Sequence, residues 1–549
     1  MEKQRLGLLG SRTSRRGFLA WVALGGSAAA LGACKPQIVE VEKEKIVKET
    51  VIVEGTPKVV EKVVTVAQTP KPADYTPNLD KVSLMGLSAF PAPTPRAQNS
   101  YLQELERRLG CQLDFIFVPS ADWSTKLAAT LASGDIPDAI ALTGYDATTV
   151  KAIEAGAIMK VQDLGIPKET RNLAGLQVIP DMVWKNASLN GTIVGIPNLT
   201  APYYQGAFLR RDWISHLGMA LPDTVEDLKE ILVAFAKKDP DGNGKNDTIG
   251  FAIGKGRSGW PLFLQPFGVP NGWRVESGGG LTHQDVTDEM KAALSYMREV
   301  YAAGALNPDF PTLTDADLIK AYASGIAGGR FGSLAALYSG PNDGGALRKL
   351  VPDADPYPIT PPNARGFKAV TYYGTGFNRI TVLNGKYAKD QEKAWDVVKV
   401  INFWLDPATE DFVNFGFEGE HHRVGADGTK TQTDKGRADI QWIRAWGPRH
   451  PRKYEDAPYV PPDMKKQIMR DTERLSAFAI SNPVWGLWPD LGTDDPTAQL
   501  TDLATNTFER IIRGEQPLSA FDTFKEEWLQ RGGRRLSEAW NAAYKKARG

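Results

Sequence analysis

Residues 237–251, KKDPDGNGKNDTIGF, set Asp239, Asp241, Asn243 and Asp247 at alternating positions around Gly242 and Gly244. Side-chain oxygens two residues apart, with glycines that let the backbone turn sharply between them, suit a hard cation that gathers about six to eight oxygen ligands. Asp239, Asp241 and Asn243 would offer side chains, Lys245 its carbonyl and Asp247 a further carboxylate. An EF-hand would add a bidentate glutamate where Gly250 stands, and TIGFAIG reads onward as strand rather than helix. The pattern therefore favours a structural calcium clamp over a calcium switch, with a metal-free Asp/Asn/Gly turn as the bland alternative.

Catalytic patterns are scarce. The chain has no G-x-S-x-G, P-loop or H-E-x-x-H. GKGRSG at 254–259 fits G-x-G-x-x-G, but Trp260-Pro261 follows and no βαβ unit surrounds it. FGFEGEHHRV at 415–424 gathers Glu418, Glu420, His421 and His422. Adjacent histidines point apart on any regular element, which disfavours zinc. Glu418 and Glu420 are the first candidates for a sugar-cleaving pair, which needs two carboxylates roughly 5–9 Å apart. Aromatics are the better clue: Trp260, Trp273, Trp446, Trp485 and Trp488 stand beside glycine or proline in expected loops. Exposed rings stack on the apolar faces of sugars, although core packing is the alternative for any one of them. Trp395 and Trp404, in the helical EKAWDVVKVINFWLD, read as core.

Positioning such groups falls to 549 residues, more than one core sustains, so two or more compact units are expected. Lys+Arg and Asp+Glu both number 65, and this zero net charge argues against a nucleic-acid partner. Residues 1–34 read as an address. SRRGFLA at 14–20 precedes a Gly/Ala-rich apolar run too short for a membrane span and resembles a twin-arginine export signal. LGAC at 31–34 looks like a bacterial lipobox, which implies cleavage before Cys34 and lipidation of its thiol as a membrane anchor; an uncleaved signal anchor is the alternative. Cys111 is then left without a partner and reads as a buried, inert thiol. Residues 35–78, rich in Val, Glu, Lys, Thr and Pro, read as an extended charged linker in which the alternating valines are the strand-like signal.

Beyond it, strand and helix alternate. KVSLMGL, QLDFIFVP and PDAIALT read as strands, 94–110 as a helix with Pro95 in its first turn and Gly110 as its stop, and 120–134 as a helix between Ser120 and Gly134. This β-α-β-α-β order predicts a parallel sheet covered on both faces, with ligands at the carboxyl ends of its strands. The loop after Thr143 thus makes Tyr145 and Asp146 candidate ligand contacts, against ordinary turn chemistry. Asn190-Gly191 reads as a hairpin turn, and Thr224 with Asp227 and Thr314 with Asp317 as capping boxes. No internal repeat and no transmembrane helix is expected after Cys34.

Six stretches, LASGDIPDAI, NGTIVGIPN, FLRRDWISHLGMALPDTVEDLKEILVAFAKKDPDGNGKNDTIGF, SGIAGGRFGS, GFEGEH and FERIIRGEQPLSAFDTFKEEWLQRGG, together resemble the extracellular solute-binding proteins of family 1. Within it they are similar to the lipoprotein branch that includes the alginate-oligosaccharide binders. The resemblance implies an α/β, type II periplasmic-binding-protein fold of two α/β lobes joined by a multi-strand hinge. Residues 79–199 and 366–428 would form the N-terminal lobe, 203–363 and 431–549 the C-terminal lobe with the calcium-type loop. It implies a monomeric receptor, not an enzyme, that closes on an oligosaccharide and delivers it to the permease subunits of an ABC importer at the outer face of the cytoplasmic membrane.

Carried over by the same resemblance, calcium ligands fall on Asp239, Asp241, Asn243, Lys245 and Asp247, with Thr248 where the alginate binders have an acidic ligand. Lobe crossings near 198–203, 365–373 and 424–430 would put Tyr203, Tyr204, Tyr372 and Tyr373 on the hinge side of the cleft. Trp260, Trp273, Ser333, Glu420 and Trp485 complete the candidate ligand contacts. The alternatives are a secreted glycoside hydrolase or lyase and a sugar receptor that feeds signalling.

Overall fold

The computed structural model describes residues 45–53, 56–64, 76–88, 91–203, 205–340, 342–426, 428–446, 462–489, 491 and 494–548. The export signal, Cys34 and Tyr204 lie outside the described residues. The chain divides into two compact units between Thr69 and Pro70.

In the first unit, Lys45–Val53 pairs antiparallel with Thr56–Val64. This corrects the reading of 35–78 as wholly extended linker. β-Branched residues recur along both strands, a composition that suits strand pairing.

The second unit opens with β1 (Lys81–Ser88), β2 (Gln112–Pro119) and β3 (Ala139–Leu142), with β1 parallel to both of the others. Helix Ser100–Leu109 joins β1 to β2 and is capped by Asn99, whose side chain accepts the Leu102 N–H, rather than opening at Pro95; Gly110 at φ +71 ends it. The apolar run of β3 is buried on two sides, Ala139 and Ala141 against one cluster, Ile140 and Leu142 against another. That two-sided burial is what a covered parallel sheet demands. β4 (Ile158–Met159) and β5 (Gly195–Leu199) then join a strand far along the chain, β10 (Phe377–Asn384), which runs antiparallel to β3, β4 and β5. Asp138 ties these strands: it accepts the Ser83 N–H and hydroxyl at 2.8 Å each, and Lys386 Nζ and the Tyr387 hydroxyl at 2.6 Å each.

The second lobe is built on β6 (Gln205–Arg210), flanked antiparallel by β7 (Gly329–Ser333) and β8 (Pro356–Ile359). Its core includes Trp213, Phe235, Phe251 and Trp260, and Phe508, Phe521 and Phe524 of its late helices pack ring on ring at 4.9–5.9 Å. Helix Val225–Lys237 starts at the Thr224–Asp227 capping box, and Asp315–Ala323 at that of Thr314 and Asp317.

Two expected boundaries are corrected. Helix Asp434–Trp446, assigned above to the C-terminal lobe, packs in the first: Ile440, Ile443 and Trp446 join Val82 and Leu84, and Trp446 Nε1 donates to the Met85 carbonyl at 3.0 Å. Gly86 leaves room for that indole, since a Cβ there would meet its Cδ1 at 2.7 Å. The crossing expected at 424–430 is instead a hairpin of His422–Val424 with Lys430–Gln432. Helix Pro462–Ser476 lies in the second lobe, where Ile468 and Leu475 pack with Phe208.

Candidate ligand cleft

Strand direction locates the cleft. β5 and β3 both run antiparallel to β10, so Leu199 ends at the same sheet edge as Leu142, Ser88 and Pro119, and β10 begins there at Phe377. In the second lobe Gln205 pairs with Ser333, and Ala207 with Ile359, so the start of β6 shares an edge with the ends of β7 and β8. Only five residues separate Leu199 from Gln205, a span of roughly 20 Å at most. The two edges therefore meet across the crossing, where open α/β sheets bind ligands.

Two strands cross together. Gly374 N–H donates to the Pro202 carbonyl at 2.6 Å and Thr200 N–H to that of Gly376 at 2.9 Å. The second crossing falls at 374–376, slightly beyond the expected 365–373, because Val370 N–H still bonds Gln265 and Thr371 N–H bonds Phe478 within the second lobe, at 2.9 Å each. A short parallel pair, β9 (Thr371–Tyr372) with β11 (Ala479–Ile480), flanks the crossing. From β11 the chain enters a strap, 482–488: Val484 sits in the second-lobe core, while the Gly486 carbonyl accepts the Asn190 N–H of the first lobe at 2.8 Å.

The candidate contacts separate into groups. Trp260 and Trp273 are 0% and 5% exposed, core residues of the second lobe rather than cleft rings, and Trp446 is likewise buried. Gly259 at φ +82 and Gly272 at φ +78, which suggested exposed loops, instead let tight turns carry the indoles of Trp260 and Trp273 inward. Tyr203 is buried against Tyr373, ring centroids 6.2 Å apart, and burial pushes its hydroxyl up to about 12. Tyr372 donates to the Val269 carbonyl at 2.9 Å, and the Tyr373 carbonyl accepts Asn271 Nδ2. Asp146 is occupied as a helix cap, its Oδ1 accepting the Thr149 N–H at 2.7 Å. Tyr145 is half-buried, its hydroxyl bonded to the Ala187 carbonyl at 2.8 Å, next to the strap's anchor. Ser333 and Trp485 are half-buried, at the end of β7 and on the strap. The strap's role as a bridge had no signal in the sequence beyond the Asn190-Gly191 turn.

The Asp-rich loop follows helix Val225–Lys237. Asp239 accepts the N–H groups of Asn243 and Gly244 at 3.0 and 2.9 Å, and Asn243 Nδ2 lies 2.9 Å from Asp241 Oδ2 and 3.2 Å from Asp247 Oδ1. Gly242 and Gly244, at φ +69 and +77, make the tight path. Partial burial, then the neighbouring Asp239 and Asp247, push the Asp241 carboxyl up, whereas the Gly244 N–H draws Asp239 down. The donor set of Asp239, Asp241, Asn243, Asp247 and the Lys245 carbonyl fits a hard cation in kind. Thr248 does not extend it: its side chain is buried and its hydroxyl donates to the Phe235 carbonyl at 2.6 Å. Among the described residues, no three His, Cys, Asp or Glu side chains are arranged to hold a metal.

The Glu/His cluster is structural. The Phe417 N–H donates to His421 Nδ1 at 3.0 Å, so the ring proton sits on Nε2, which faces both Asp439 and Ser100 at 3.3 Å. His421 cannot then take a proton from Ser100, which donates instead to Glu420 at 2.6 Å. The Ser100 hydroxyl thereby draws Glu420 below the ordinary carboxylate range, and Lys435 Nζ lies 3.5 Å from the same Oε1. Cys111 is buried, and its thiol is pushed up to about 11 by that burial.

Residues 101–410 match the bacterial extracellular solute-binding proteins, more than half of the chain. The chain belongs to this family. The protein is a solute-binding receptor and not an enzyme. It is 26% identical to Lipoprotein LipO of Bacillus subtilis over 85% of this chain and 93% of LipO. It is 24% identical to the polygalacturonan/rhamnogalacturonan-binding protein YtcQ of the same organism, over 81% and 88%. In fold it is similar to the alginate-binding protein AlgQ2, solved without calcium ion, at a TM-score of 0.61 and 15% identity, over 86% of this chain and 98% of that one. That likeness gives the receptor the two-lobed α/β solute-binding fold expected from its sequence.

Proposed function

We propose that this receptor is exported by the twin-arginine route, held at the membrane through lipid on Cys34, and closes its lobes on an oligosaccharide that it presents to the permease of an ABC importer. The observation that carries the reading is the pair of facing sheet edges, Ser88, Pro119 and Leu142 against Gln205 and Ser333, joined by adjacent crossing strands that can act as a hinge. The class of ligand is supported by relatives named for polygalacturonan, rhamnogalacturonan and alginate, and by Trp485 on the strap between the lobes. The calcium loop is part of this proposal: Asp239, Asp241, Asn243, Lys245 and Asp247 would hold the ion and fasten the helix to the following segment, where Ile249, Phe251 and Ala252 make single β-bridges rather than the expected strand, away from the ligand. The test is thermal unfolding of the full chain with neutral and acidic oligosaccharides, with recovery of each ligand. A sugar that raises the midpoint and returns intact supports the reading, because a ligand selective for the folded state must stabilise it. Indifference to every sugar, or a shortened product, defeats it.

A further inference from the structure

Beside the hinge, the second lobe holds a cavity of about 440 Å³ that none of Ser88, Pro119, Leu142, Gln205 and Ser333 lines, although Ile480 and, on the strap, Pro483 border it. Phe267, Trp273 and Phe367 provide its apolar walls, Arg274 and Glu289 its charged rim, and Ile480 of β11 one side. Phe367 is 37% exposed, its ring edge-on to Phe267 at 5.3 Å, so one aromatic ring faces water at the cavity. The walls approach closely at Gly268, where φ is +70 and a Cβ would stand 2.6 Å from the Lys368 carbonyl. Arg274 is held by two carboxylates, Glu276 and Glu289, which fixes donors and acceptors at the rim.

Apolar rings with a few fixed polar groups, in a cavity of this size, are the make-up of a small-molecule site. Phe367, backed by the buried Phe267 and Trp273, is the ring that meets the apolar face of a sugar, while a paired cation and carboxylate meet its hydroxyls. Glu276 and Glu289 more than neutralise Arg274, and Lys368 on the lining brings the balance to zero, so the rim favours an uncharged ring over an acidic one. We propose that this cavity is a second ligand site, separate from the strand-end cleft, that takes a single neutral pyranose ring.

The probes are methyl glycosides of glucose, galactose and mannose, added to the full chain labelled with fluorotryptophan. The fluorine resonance of Trp273, assigned by its loss in Trp273→Phe, reports on the cavity wall. At least one glycoside should shift it saturably, and the affinity should fall about tenfold in Phe367→Ala, which removes a stacking ring, and in Ser481→Trp, which fills the cavity. Both residues are exposed, so neither change disturbs the core. The shift should persist in Ser333→Trp, which crowds the strand-end edge; loss of oligosaccharide binding there with the glycoside shift retained supports two distinct sites. No saturable shift with any glycoside, equal shifts in wild type and both cavity variants, or a shift lost in Ser333→Trp would overturn the proposal.

Discussion

Asn190 of the first lobe grips Gly486 of the strap: its N–H donates to the Gly486 carbonyl at 2.8 Å, while its own Oδ1 accepts the Trp488 N–H at 2.7 Å. Asn190 holds φ +51, and a Cβ on Gly486 would lie 2.2 Å from the Lys185 carbonyl. The strap therefore depends on a residue that tolerates the left-handed region and on a glycine that fits beneath it. Asn190→Ala should cost about 1–2 kcal/mol, from the lost bond and the backbone strain together, and Asn190→Gly less, because it loses only the bond. Chemical denaturation of the two variants side by side checks the order, and equal losses would mean that the left-handed backbone at Asn190 carries no strain for alanine.

Asp138 should govern the acid limit of the first lobe. Burial alone would raise its carboxyl, but Lys386, the Ser83 N–H and the Tyr387 hydroxyl outweigh it and hold the group below the usual range. A folded pKa below the unfolded one contributes stability that is complete above about pH 4 and drains as pH falls through the folded value. Asp138→Asn should cost about 2–4 kcal/mol at neutral pH, by leaving bonded partners unsatisfied. Unfolding curves at neutral and acidic pH should converge for wild type and variant as the acid limit is approached.

The β1 to β3 portion of the first lobe was legible because apolar runs of strand length alternate with helices stopped by Gly110 and Gly134, and local signals of this kind need no tertiary context. The Thr224 and Thr314 caps were legible for the same reason. β10 was not, because it reaches its neighbours β3 and β5 only after the chain has built most of the second lobe. Helix Asp434–Trp446 shows Ile440, Ile443 and Trp446 at helical spacing, which marks a buried face without saying which core receives it. Trp260 and Trp273 mislead for a related reason: a glycine or proline neighbour marks a turn, and turns can carry a ring inward as readily as outward. Of the candidate contacts, Tyr145, Ser333 and Trp485 lie at strand ends or on the strap, whereas Asp146 and Glu420 are spent on local bonds.

Trp260 and Trp485 should therefore behave differently. Trp260→Ala empties a fully buried site and should cost about 3–5 kcal/mol of stability. Trp485→Ala should leave stability within about 1 kcal/mol while weakening oligosaccharide binding by roughly tenfold or more. Calorimetric binding beside denaturant unfolding separates the two effects, and equal affinities for wild type and Trp485→Ala would remove that ring from the site.

Calcium affinity should fall as pH is lowered. Asp241 must be ionised to serve as a ligand, and its carboxyl is pushed up by partial burial and by Asp239 and Asp247, so protons compete with the ion at a higher pH than at an ordinary aspartate. Unfolding midpoints with calcium and with chelator should differ at neutral pH and merge under acid. Asp239→Ala, which also releases the Asn243 and Gly244 N–H groups, should abolish the difference.

The most direct test of the receptor reading is titration calorimetry of the full chain with oligosaccharides of galacturonate, rhamnogalacturonan and alginate and with neutral sugars of similar length, followed by recovery of the ligand. The account predicts saturable one-to-one binding of at least one of them, lost in Ser333→Trp, with the ligand recovered at its original length. No heat with any sugar, or binding of the acidic oligosaccharides that Ser333→Trp leaves untouched, would contradict a sugar site between the strand ends of the two lobes.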